Sequence, residues 1–131
     1  MAITLTDTAR ELLDGKNFAT VATLNADGSP QTSVVWVDRD GDAVEFSTTA
    51  ARLKARNIAR DPRVSITIFA FDNPYRTVEI RGTAELIEDS DRSGQRAINH
   101  KYMGQDPPAE PAEVVRVIVR VTPEKVVEFS V

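Results

Sequence analysis

The 131-residue chain has no cysteine, one histidine and one tryptophan. The missing cysteine excludes disulfides, thiolate metal ligands and a cysteine nucleophile. The lone His100 excludes a centre built from several histidines. No segment approaches the ~20 consecutive apolar residues of a membrane span. The N-terminal stretch MAITLTDTARELLDG is amphipathic and of mixed charge, without the apolar centre of a signal sequence. The net charge of -4 argues against general nucleic-acid binding, which needs a basic surface. No Ser-His-Asp order, phosphate-binding Walker loop or dinucleotide glycine fingerprint occurs. The acidic residues Glu88, Asp89 and Asp91 have the placement of helix caps and lack metal-loop spacing. The expectation is a soluble, cytoplasmic protein without metal, membrane or nucleic-acid partner.

What is present suffices for one compact domain spanning residues 1–131, since 41% of the residues are apolar. So small a domain gains from a subunit interface that buries further apolar surface. Thr8 and Glu11 have capping-box spacing, and Leu5, Ala9, Leu12 and Leu13 recur at helical intervals before Gly15. NFATVATL, SPQTSVVWVD and DAVEFSTT then read as three strands of a meander, joined by turns at NADG and DRDG. RVSITIFAF and YRTVEIRGTAELIE are further strands across DNP. Residues 89–104 read as a helix closing at Gly104, and QDPPAEPAE as a proline-rich loop of low structure. VVRVIVRVTPEKVVEFSV is a final strand in which Pro123 marks an edge or a bend. About six strands, a few short helices and no βαβ alternation point to an antiparallel barrel with peripheral helices.

One stretch stands apart. STTAARLKARNIARDP carries Arg52, Lys54, Arg56 and Arg60 in an acidic protein, directly after Ser47, Thr48 and Thr49. Ala51, Ala55, Ile58 and Ala59 form its apolar side, and Asp61-Pro62 ends it. It reads either as a solvated amphipathic helix or as an anion site. Free N–H groups and the helix dipole favour negative charge at a helix N-terminus, where unpartnered cations sit unfavourably. On an ideal helix Arg52 and Lys54 point about 200° apart, so they meet at one phosphate only if the chain is still entering the helix there. In PQTSVVW, Thr32, Val34 and Trp36 point one way and Gln31, Ser33 and Val35 the other. Both faces are partly apolar, which suits a strand with the core on one side and a ligand or a second subunit on the other. His100 lacks a carboxylate or nucleophile in its helical pattern and is no candidate catalyst. Glu79, Arg81 and Arg76 suit cross-strand ion pairing.

Taken in order, LNADGSPQTSVVW, FSTTAARLKARNIARDPRVSI, DNPYRTVEIRGTAEL, KYMGQDP and VIVRVTPEKV resemble the split β-barrel flavin and deazaflavin reductases of the pyridoxamine-phosphate-oxidase-like superfamily. The pairing of NPYRTVEIRG with KYMGQDP is similar to the branch that uses the deazaflavin coenzyme F420. The resemblance implies a mainly β fold: a six-stranded antiparallel split β-barrel with short peripheral helices, forming a homodimer with cofactor sites at its interface. It places Gln31, Thr32, Ser33, Val34 and Trp36 beside the cofactor ring. It places Arg52 and Lys54 on the cofactor phosphate with the hydroxyls of Ser47, Thr48 and Thr49, and Arg56 and Asn57 nearby. Tyr75, Arg76 and Thr77 fall where the neighbouring strand, often the partner subunit's, closes over the cofactor. Pyridoxamine phosphate oxidases carry a glutamine where Thr77 stands and a substrate-binding C-terminal segment where this chain ends VVEFSV, which counts against that activity. The implied function is hydride transfer from reduced F420 to an activated double bond of a small organic substrate. An FMN-binding oxidoreductase and an F420-binding carrier or sensor without turnover are the alternatives.

Overall fold

The computed structural model describes residues 2–130. In chain order the elements are α1 (Asp7–Asp14), β1 (Phe18–Leu24), β2 (Pro30–Trp36), β3 (Asp38–Asp40), β4 (Ala43–Thr49), α2 (Leu53–Arg60), β5 (Arg63–Ala70), β6 (Asn73–Glu88), α3 (Ser93–Met103) and β7 (Arg116–Phe129). All strands join one antiparallel sheet in the order β2-β1-β5-β6-β7-β4-β3. The mainly β architecture with short helices is as the sequence implies. The strand count is seven rather than six, because DRDG is not simply a turn. Asp38–Asp40 forms β3 against residues 43–45, and the reversal is confined to Gly41 and its neighbours.

The period-2 pattern decides what each strand buries. Val21, Ile66, Ile68, Val78, Ile80, Val44, Phe46, Val119 and Val121 turn their side chains inward and are fully buried. Helix α1 closes the core with Ala9, Leu12 and Leu13. Its N-cap is Thr6, whose Oγ1 accepts from the Ala9 amide at 3.1 Å, so the Thr8–Glu11 capping box does not form. Thr6 wins because Leu5, just before it, is held by core burial and by the hydrogen bond its amide donates to Asp42 Oδ1 at 2.9 Å. The NADG turn forms as its residues dictate, with Gly28 at φ 87° and its amide on Asn25 O.

The long β6–β7 pair bends at a register shift between Arg81 and Gly82, opposite Pro123. Strands are closest there: a Cβ on Gly82 would lie 2.2 Å from Thr122 O, so only glycine fits. Pro123 lies beyond Val121, the last β7 residue that pairs with β4, and its carbonyl accepts from the Ile3 amide at 3.0 Å. The expected cross-strand ion pairs of β6 are arranged otherwise. Arg81 pairs with Glu79 on its own strand at 3.1 Å, and Arg76 reaches Glu11 on α1 at 3.0 Å.

Helix α2 is fastened to the sheet by a polar network rather than by apolar contact alone. Asn57, 1% exposed, donates to Thr23 Oγ1 (3.0 Å) and to Asn25 Oδ1 (2.9 Å). Arg60 donates to Asn57 Oδ1 and to Leu24 O. A buried amide with its hydrogen bonds filled fixes orientation, since any other placement leaves it unsatisfied. This bolt sets where the first turn of α2 points.

Candidate functional site

Because β3 is three residues long, it covers only residues 43–45 of β4, and residues 46–49 have no strand on that side. Across this gap lies the end of β2. The gap is a cavity of about 290 Å³, lined by Val34, Val35 and Trp36 of β2 and by Ser47, Thr48 and Thr49 of β4. Arg52 and Lys54 line its corner, Gln95, Ile98 and Asn99 of α3 another side, and Arg116 at the start of β7 completes it.

The corner answers the geometric condition set by the sequence. After β4 the chain turns, with the Ala50 amide on Val115 O and the Arg52 amide on Thr49 O. Arg52 is the N-cap of α2, still extended at φ -66° and ψ 148°, and no side chain caps the helix. Arg52 therefore leaves the chain before helical geometry begins, and it shares the cavity with Lys54 two residues later. The first turn of α2 contains no acidic residue, and neither cation has a hydrogen-bond or ion-pair partner among the described residues. Burial, and then the charge of Arg52, push the Lys54 amine below its ordinary value. Two unpartnered cations, a set of hydroxyls and an uncapped helix end fit a phosphate, whose charge would favour the protonated Lys54 amine and offset that lowering. The residues present thus suit a cofactor that carries one.

Among the candidate residues, the cavity unites Val34, Trp36, Ser47, Thr48, Thr49, Arg52 and Lys54. It does not include the others. Gln31 and Ser33 face the same way as buried Val35; Gln31 accepts from Thr23 Oγ1, and the buried Ser33 Oγ has no partner among the described residues. Thr32 is exposed further along β2. Arg56 and Asn57 line a separate groove on the far side of α2, where Asn57 is occupied by its network. Tyr75, Arg76 and Thr77 stand at the start of β6; Tyr75 is 64% exposed and Arg76 is engaged by Glu11.

Val34 presents an apolar side chain that is 68% exposed, and Trp36 beside it is half-buried. The indole stacks on Tyr102 with ring centroids 5.0 Å apart and planes 6° from parallel. The Tyr102 hydroxyl donates to Asn17 O at 2.5 Å and accepts from the Val37 amide at 3.1 Å. Lys101 Nζ donates to Leu13 O and Val37 O. These contacts dock the end of α3 beside β2 and set the indole plane at the cavity wall. Sequence reasoning had passed over Gln95, Ile98, Asn99, Tyr102 and Arg116. The spacing of Gln95, Ile98, Asn99 and Tyr102 does put them on one helical face, but nothing local says what that face meets. His100 turns out to have a carboxylate after all: Asp106, from the loop beyond the helix, lies 2.5 Å from Nε2. Both are exposed and outside the cavity.

The proline-rich loop is tied to α3 and β7 chiefly through Glu110. Glu110 accepts from Arg116 Nε and Nη2, both at 2.9 Å, from Arg92 Nη1 at 2.7 Å and from Gln95 Nε2 at 3.1 Å. The Arg116 hydrogen bonds are the chief reason its carboxyl lies below the usual range.

Comparison with known proteins agrees with this architecture. The family profile described as pyridoxamine 5'-phosphate oxidase matches residues 5–129. A pyridoxine/pyridoxamine 5'-phosphate oxidase of Kineococcus radiotolerans is 42% identical over 71 residues, 54% of this chain. The match spans only 31% of that relative. Among solved structures, an F420 reductase superposes with a TM-score of 0.81 at 35% identity, covering 90% of this chain and 94% of the other. A conserved hypothetical protein of Mycobacterium tuberculosis shares the fold at a TM-score of 0.77 and 24% identity, over 98% of this chain and 86% of its own. With a profile match along almost its whole length and a barrel split where the cations gather, the chain belongs to the pyridoxamine 5'-phosphate oxidase family.

Proposed function

We propose that this protein is an F420-dependent reductase that delivers a hydride to an activated double bond of a small organic substrate. The observation that carries the proposal is the meeting of unpartnered Arg52 and Lys54, with the hydroxyls of residues 47–49, in one cavity beside the apolar end of β2. The F420 reductase, 35% identical where the two chains align, supports the deazaflavin over other flavins. Bound here, reduced F420 would supply two electrons together as a hydride from carbon.

The chain's own residues would grip, orient and dry the reacting partners. Arg52 and Lys54 would hold the phosphate with Ser47, Thr48 and Thr49. Val34 and the Trp36 indole, its plane set by Tyr102, would give the ring an apolar wall. No carboxylate, histidine or tyrosine among the described residues of one protomer lines the cavity, so the proton that completes reduction would come from solvent or from the cofactor itself. Titration with both cofactors tests the assignment. F420 is expected to bind at least about tenfold more tightly than FMN, about 1.4 kcal/mol. Reduced F420 should then turn over on activated alkenes or quinones. Equal affinity, or protein purified already yellow with FMN, overturns it.

An FMN-dependent oxidoreductase is the second reading, favoured by the family profile itself. Tight F420 binding with no turnover on any acceptor would instead favour a carrier or sensor.

We also propose a homodimer with the site at its interface. Val34, Phe71, Tyr75, Val127 and Phe129 leave large apolar area exposed on one protomer, and the register of Thr77 with Phe129 gathers the last three at one end of the β6–β7 pair. A partner there would bring Tyr75, Arg76 and Thr77 to the neighbouring cavity. Light scattering at micromolar concentration should give twice the chain mass of 14.4 kDa. A monomer that still binds cofactor refutes the arrangement.

A further inference from the structure

We propose that Glu110 is a positioning residue that holds Arg116 as a third cationic contact for the ligand's anionic group. The inference rests on the reading of the cavity as an anion site. Three cations line that cavity, but they differ: Arg52 and Lys54 have no partner among the described residues, whereas Arg116 is clamped. The clamp is a two-point fork, with Nε on Oε1 and Nη2 on Oε2, each at 2.9 Å. Such a fork fixes the guanidinium plane as a single contact does not. It leaves Nη1 uncommitted except for a long 3.5 Å approach to Ser47 Oγ, itself a cavity residue. The uncommitted donors of Arg116 therefore lie on the side of Ser47, where a phosphate oxygen could replace the weak contact.

The brace behind the fork is built at a cost. Arg92, the N-cap of α3, stands at φ 60°, the one left-handed non-glycine among the described residues, a conformation unfavourable for an L side chain. Its guanidinium binds Glu110 Oε1, Val114 O and, at the distance limit, Pro111 O. Gln95, also at the cavity, donates to the same carboxylate. Glu110 and its two arginines keep only 20–24% of their side-chain surface exposed. A loop of proline and alanine thus delivers one carboxylate to the hub that joins α3, β7 and the cavity.

Glu110→Gln separates positioning from simple charge. A distant field effect predicts tighter anion binding once the negative charge is gone. Positioning predicts weaker binding, because a neutral amide cannot hold the fork. Kd values for F420 and for FMN are measured on Glu110→Gln, Arg116→Ala, the double variant and Lys54→Ala. Arg116→Ala is expected to weaken binding about tenfold or more, the loss of one charge-assisted contact. Glu110→Gln should weaken it several-fold, with no further loss in the Arg116→Ala background, since Glu110 acts through Arg116. A scaffold role would give additive losses, or a lower Tm with unchanged Kd. Unchanged or tighter binding in Glu110→Gln, or additivity, overturns the inference. If Lys54→Ala binds as tightly as the parent, the anion-site reading itself fails instead. Should Glu110→Gln not fold, Arg116→Lys decides: it keeps the charge without the fork, and parental affinity refutes the role of the fork.

Discussion

Arg52, Lys54 and Arg60 come from one basic stretch, yet their surroundings assign them different work. Arg52 and Lys54 face the cavity unpartnered, whereas Arg60 is bound to Leu24 O and Asn57 Oδ1 behind the helix. Removing either of the first two deletes a charge-assisted contact to an anion, worth roughly 1.5–3 kcal/mol of binding. Arg60→Ala should leave binding nearly unchanged and lower stability instead, because it loosens the Asn57 bolt. Kd values for the three variants at two salt concentrations check this, with affinity falling as salt rises. The lowered Lys54 pKa adds a pH signature. An anion favours the protonated amine, so binding takes up protons and affinity should weaken as pH rises toward the ordinary lysine value of 10.5. Lys54→Ala that binds like the parent would refute the phosphate assignment.

At the level of elements, the cavity depends on how the long strands bend and on how α2 is aimed. β6 runs sixteen residues and β7 fourteen, and a flat pair of that length could not curl around a core. The register shift at Arg81 and Gly82 supplies the bend, and Gly82 permits it by letting Thr122 O approach its Cα. Gly82→Ala would place a methyl 2.2 Å from a backbone oxygen, which no rotamer relieves. The expected loss is about 1–3 kcal/mol, the usual penalty for overpacking, read as a lower urea midpoint. An unchanged midpoint would mean that the strands can part there at little cost.

For the whole molecule, surface ion pairs set the response to acid. Glu11, Asp14 and Asp61 have carboxyl groups held below their ordinary values chiefly by hydrogen bonds from Arg76, Arg39 and Arg63, Asp61 down to about 2. A carboxylate whose folded pKa is depressed contributes stability above its unfolded value, and this is lost as pH falls through the folded one. Stability should therefore decline from about pH 4.5, the ordinary glutamate value, toward pH 2. Each pair is exposed and individually small, so the decline is gradual. Urea unfolding followed by the fluorescence of Trp36 at a series of pH values measures it. A midpoint constant over that range would show that these pairs contribute nothing.

The residues by themselves determined every strand except β3, since alternation at period two and turn chemistry at NADG are local properties. They also determined the helical stretch at residues 53–60 and its cationic character. The sequence even stated the condition under which Arg52 and Lys54 meet, but whether the chain was still extended at Arg52 depended on the turn pinned by Val115 O and on the Asn57 network. Tertiary structure alone decided that β3 would stop after three residues and leave half of β4 open toward β2. It alone brought Gln95, Asn99 and Arg116 to that opening, from segments more than thirty residues beyond the basic stretch. Local patterns specify which face of an element is apolar or charged. What that face meets is set by packing the whole sheet into one closed core, and no window of sequence contains that information.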